Sequence, residues 1–130
     1  MQLNEWKHYV MSESGAADGI AALKQLSVTV AKDVGGVKWQ ASIHGMDHFV
    51  KAMVPRSKIK SVYGKTVAAI RARLKDSGQK FSEHPSRGDI LEDESASTRF
   101  VCKGGSIHVA TEIDSEDDRK FEISVFVSKV

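Results

Sequence analysis

From Arg56 to Lys75 the chain reads RSKIKSVYGKTVAAIRARLK. The apolar residues Ile59, Val62, Tyr63, Val67, Ile70 and Leu74 recur at gaps of three and four, which places all six on one helical face. The basic residues Lys58, Lys60, Lys65, Arg71 and Lys75 fall on the opposite face. Arg73 sits at the apolar border, and no acidic residue interrupts the stretch. A helix of this kind must pack its apolar side on another layer and show water a cationic back. Ser57 is placed to cap it, and Lys75-Asp76-Ser77-Gly78 supplies a stop. Gly64 in its interior is worth roughly 1 kcal/mol less than alanine. That residue implies either a close backbone approach or a break with a restart at Thr66.

The partner layer is expected to be a sheet. SVTVAKDV-GG-VKWQASI reads as a hairpin turning at Gly35-Gly36. In that register Val34, Val30 and Val28 meet Val37, Ala41 and Ile43 on one face. On the other, Asp33 meets Lys38 and Thr29 meets Ser42. Farther on, Thr98–Lys103 turns at Gly104-Gly105 into Ser106–Asp114, and the acidic loop 115–118 leads to Arg119–Val127. This meander pairs Cys102 with Ile107, Phe100 with Val109 and Thr98 with Thr111. Its second face holds Val101, His108, Ala110 and Phe126, so it is not fully polar, and is expected either to be partly covered or to serve as a contact surface.

Short helices are expected at Leu3–Met11, Ala16–Leu26 and Asp47–Met53, the last from the spacing of Met46, Phe49, Val50 and Met53. Residues 78–96 lack periodicity and read as a long loop. The expected architecture is α+β, one domain over residues 1–130. About five antiparallel strands carry helices on one face, in the order α-α-β-β-α-α-β-β-β. No apolar run reaches the length of a membrane span, and MQLNEWKHYV is too polar for a signal peptide, so the cytoplasm is the expected compartment. Cys102 is the single cysteine, which excludes an intrachain disulfide and a cysteine-based zinc site. It reads as a small buried apolar residue.

Charge is uneven along the chain. Lys51 to Lys80 holds nine Lys or Arg and one acid, Asp76, whereas Glu83 to Glu122 holds eleven acids against five cations. Either the two surfaces neutralise one another in the fold, or one of them meets a charged partner.

Three functions follow from these residues. In the leading reading the chain is a small non-catalytic binding protein, with Lys58, Lys60, Lys65, Arg71 and Lys75 contacting nucleic-acid phosphates. The outline of a helix-turn-helix over 46–75 suits that reading, with Arg56, Lys58 and Lys60 near the start of the second helix. A second reading is a protein–protein module, such as an inhibitor, a toxin-immunity partner or a phage or plasmid accessory protein. Its surface would be the segment 78–96, the acidic loop with Glu116, Asp117 and Asp118, or the semi-apolar sheet face. The third is a metal-independent RNase using His44 and His48, since histidine titrates near neutrality. No cofactor or metal is expected. The acidic clusters lack the alternating ligand spacing of a calcium loop. Gly64-Lys65-Thr66 lacks the upstream glycine of a phosphate-binding loop.

Overall fold

The computed structural model describes residues 25–26, 29–30, 33–44 and 47–129. Its strands are β1 (Gln40–His44), β2 (Asp47–Pro55), β3 (Phe81–Pro85), β4 (Ser95–Cys102), β5 (Gly105–Ile113) and β6 (Lys120–Lys129). One complete helix, α1 (Ile59–Asp76), joins β2 to β3. The described positions between Gln25 and Asp33 are also helical. The six strands form one sheet in the order β1-β2-β6-β5-β4-β3, antiparallel at every pairing. The fold is thus α+β, as expected, but among the described residues it has one complete helix rather than several and six strands rather than five.

The meander explains most of the core. Strands β4 to β6 alternate, so Thr98, Phe100 and Cys102 share a face with Ile107, Val109, Thr111, Phe121, Ile123, Val125 and Val127. The turn between β4 and β5 is Lys103-Gly104, with Gly104 at a φ of 85°. Phe100 therefore faces Ile107, and Thr98 faces Val109. This register lies two residues from the expected one. A slip of two preserves which side chains face the core, so both registers bury the same residues.

α1 lays its apolar stripe on that face. Ile59, Ile70 and Leu74 are fully buried, with Val62, Thr66 and Val67 beside them. Buried Thr66 satisfies its hydroxyl by donating to Val62 O at 2.7 Å. α1 also carries the chain from β2 across to the far edge strand β3. At 1.5 Å per residue its 18 residues span about 27 Å, ample for the four strand spacings, about 19 Å, between β2 and β3. Its start is tied down by Arg56. The Arg56 amide donates to Arg119 O at 2.7 Å, its guanidinium donates to Asp118 O and Leu91 O, and its Cζ lies 5.7 Å from the Phe121 ring centroid. Lys58 holds the cap position, and no side chain caps the helix there; Ser57 precedes it. At the other end Gly78, with φ 74°, closes a Schellman motif. In it the Gly78 amide donates to Lys75 O and the Gln79 amide to Leu74 O.

Four local expectations are corrected. The described residues of the expected first hairpin strand are not a strand: Thr29, Val30 and Asp33 are helical. Thr29 Oγ1 donates to Gln25 O, and the Val34 amide donates to Val30 O. Leu26, Val30 and Val34 recur every four residues, and Val30 and Val34 are buried in the core. Packing on the core overrides the β preference of the valines. Second, Asp47–Met53 belongs to strand β2. Val50, Ala52 and Val54 are buried at period two, while Met53, assigned to a helical seam, is 48% exposed. The helix-turn-helix outline falls with that helix. Third, segment 78–96 contains β3, an edge strand needing few apolar residues, and the start of β4. Fourth, the described order is β-β-α-β-β-β-β rather than the expected alternation. The expected helix Leu3–Met11 lies outside the described residues. The helix Ala16–Leu26 is described only at Gln25 and Leu26, both helical.

Candidate nucleic-acid interface

The five cations assigned to phosphate contact all lie in α1 or at its cap, but the fold treats them differently. Lys60 Nζ sits 3.0 Å from Asp89 Oδ2. Arg71 grips Glu83 with two bonds, Nε to Oε1 at 2.8 Å and Nη2 to Oε2 at 2.7 Å. Arg73 makes the same fork with Asp33, at 2.9 and 3.0 Å. Lys58, Lys65 and Lys75 are exposed and make no ion pair among the described residues. Helix geometry explains the division. Lys60 and Arg71 lie on the flank of α1 that faces β3 and the loop after it, and Arg73 lies on the flank beside Asp33. Lys65 projects from the back.

The acids respond to these pairings. The Arg71 guanidinium, by hydrogen bonding, holds the Glu83 carboxyl below its usual range, and Lys75 adds to the same field. Asp33 is lowered by its bonds to Arg73. Asp89 is lowered by Lys60 and by the amides of Leu91 and Glu92. Between α1 and the β3–β4 edge the Arg71–Glu83 and Lys60–Asp89 pairs line a groove of about 430 Å³, with Tyr63, Gly64, Ile90 and Thr98 in its walls. Tyr63 and Thr98 share a hydrogen bond between their hydroxyls. Gly64 leaves the helix unbroken, and a Cβ built on it meets nothing within 4 Å. Nothing in the structure explains a glycine there.

The acidic loop lies at the far end of the meander. Glu94, Asp114, Glu116 and Asp118 border an open concavity of about 660 Å³. Asp117 is engaged within the loop itself. Its carboxylate accepts from the Arg119 amide and guanidinium, which pull its pKa down. His44 and His48 flank the β1–β2 turn. His44 pairs with Asp47 and His48 with Ile43, so the two occupy adjacent register positions rather than one directly paired position. Among the described residues no group of three or more His, Cys, Asp or Glu is placed to hold a metal ion.

The side of the sheet away from α1 is also distinctive. The His108 and Phe126 rings stack at 4.7 Å between centroids with 5° between planes. His108 Nε2 lies 2.7 Å from Ser128 Oγ. Burial, reinforced by the Arg99 charge, pushes the His108 pKa down. The sequence marks His108 and Phe126 as residues of a semi-apolar face. No spacing singles out Arg99 or His84, although strand alternation places both on that face.

No protein-family model matches the chain, and no curated protein or solved structure matches it. Among the described residues no helix is long and apolar enough to cross a membrane.

Proposed function

We propose that this chain is a small non-catalytic binding protein that contacts nucleic-acid phosphates through the solvent line of α1. The observation that carries the reading is the selective pairing of cations. Internal acids engage the flanking Lys60, Arg71 and Arg73, while Lys58, Lys65 and Lys75 make no ion pair among the described residues. The exposed back between them offers Ser61, Ala68 and Ala72, and no acid before Asp76. Small residues between flexible cations allow close approach of a phosphate backbone. Contacts of this kind are independent of sequence and weaken with salt.

The test is duplex binding at low salt by Lys65→Glu/Lys75→Glu. The reading expects binding to be lost while circular dichroism and the melting temperature hold. Unchanged binding would remove α1 as the site. Arg71 is unsuitable for reversal, because it would set two carboxylates against each other at Glu83.

A second reading is supported by the concave acidic loop. Glu116 and Asp118 suit a basic protein partner, since neither makes an ion pair among the described residues. Neutralising these two, and sparing the structural Asp117, should abolish recovery of such a partner by pulldown. Retention would count against this surface.

A further inference from the structure

The face of the sheet opposite α1 carries aromatic rings and cations in a single row. The register runs from Phe126 to His108, from His108 to Arg99, and from Arg99 to His84, one residue from each of β6, β5, β4 and β3. Alternation gives these positions the parity opposite to the buried Phe100, Ile107, Val109 and Val125. His108 and Phe126 are partly exposed, and Arg99 and His84 are exposed. Among the described residues no helix packs on this side, since α1 and the helical positions before Val34 both lie on the other.

We infer that this row is a stacking platform for single-stranded nucleic acid, with the His108–Phe126 pair receiving bases and Arg99 receiving the backbone phosphates. The inference rests on the nucleic-acid reading above but uses a different surface. Three observations point to this occupant. The His108 and Phe126 rings lie parallel and face to face, which leaves the outer face of each ring for a base, and base stacking on aromatic side chains tolerates any sequence. The row spans about 14 Å at strand spacing, room for two or three splayed bases. The charge on the face is graded toward a polyanion. Arg99 and His84 lie in the row and Lys51 enters from β2, while Glu112 and Glu122 face each other four residues farther along β5 and β6, about 13 Å away, and Asp47 takes the position two residues before Phe49 on β2. A duplex hides its base faces and cannot use stacked rings in this way. An apolar protein partner would be met by the same rings but opposed by the desolvation of a central arginine that pairs with no carboxylate among the described residues.

The experiment compares labelled single-stranded DNA and RNA with duplexes of the same sequence, at low salt. It uses the full-length parent, Phe126→Ala, the milder Phe126→Leu, Arg99→Gln and Lys65→Glu/Lys75→Glu. The platform predicts that single strands bind more tightly than duplex. It also predicts that Phe126→Ala weakens single strands by about fivefold or more while changing duplex affinity less than twofold. If that variant does not fold, Phe126→Leu and Arg99→Gln must still weaken single strands selectively. Single-strand binding unchanged in all the sheet-face variants, or a preference for duplex, overturns the platform. If Lys65→Glu/Lys75→Glu then abolishes binding, the helix reading stands alone. A parent that binds no nucleic acid overturns both.

Discussion

The ion pairs on α1 make the salt dependence of duplex binding a quantitative test of which cations reach phosphate. Each phosphate neutralised contributes about −0.9 to the slope of log affinity against log salt. If Lys58, Lys65 and Lys75 contact DNA while Lys60 and Arg71 remain with Asp89 and Glu83, the slope is about −2.7. Raising salt fourfold then weakens binding about 40-fold. Were all five cations engaged, the slope would be about −4.5 and the same change would weaken binding about 500-fold. Two variants bracket the reasoning. Lys65→Gln should flatten the slope by about 0.9. Asp89→Asn retains an oxygen for the Leu91 amide but releases Lys60, and should steepen the slope by about 0.9. Fluorescence anisotropy on a short labelled duplex from low to physiological salt measures all three. A parent slope of −4 or steeper would show that the internal pairs yield to phosphate, and an Asp89→Asn slope equal to the parent's would refute the assignment of Lys60 to Asp89.

Further outcomes follow from the same geometry. Gly64→Ala meets no neighbour within 4 Å and should stabilise the fold by about 1 kcal/mol, raising the melting temperature by roughly 4 °C in calorimetry; destabilisation would reveal a contact at that site. A double-mutant cycle with Arg71→Met and Glu83→Gln should give a coupling of about 1 kcal/mol at neutral pH, kept modest by partial exposure. Because the folded Glu83 pKa is depressed below 4.5, that coupling is fully present above the unfolded value and disappears as pH falls through the folded one. Urea melts at neutral pH and at pH 3 check the sign, and a coupling that grows with acid would contradict it. Cys102 is buried and its thiol pKa is raised by that burial, so thiol-reactive dye should label the native chain far more slowly than the chain in denaturant. Equal rates would place the thiol at the surface.

Much of the layer arrangement could be read from periodicity. The stripe of α1 and the alternation in β4, β5 and β6 each contain several large apolar residues, and those patterns survive small errors of register. The misread segments carried patterns that satisfy two periods. Val30 and Val34 share a strand face in the hairpin register, yet also sit four apart on a helix. Met46, Phe49 and Met53 offered helical spacing across residues whose buried set is Val50, Ala52 and Val54. Strand β3 is at an edge and shows only Phe81 as a core signal. At the candidate site, the cations were legible and their engagement was not. Arg71 reaches Glu83 because β3 returns alongside α1, a tertiary event without a spacing rule. The acid-rich run after Glu83 did signal that some of the basic charge would be neutralised at home.

The strand order also has a kinetic consequence. β3, β4, β5 and β6 are joined by successive hairpins, so their pairings close short loops. The pairing of β2 with β6 joins Val50 to Val125, 75 positions apart. Loop closure at that separation opposes pairing by about 2 kcal/mol more than at ten residues. The β1–β2 ribbon is therefore expected to dock onto a meander already formed, with α1 as the tether that limits its search. Pulse-labelled amide exchange during refolding should protect β4 and β5 before β2. Simultaneous protection of the two groups would mean that the distant pairing belongs to the folding nucleus.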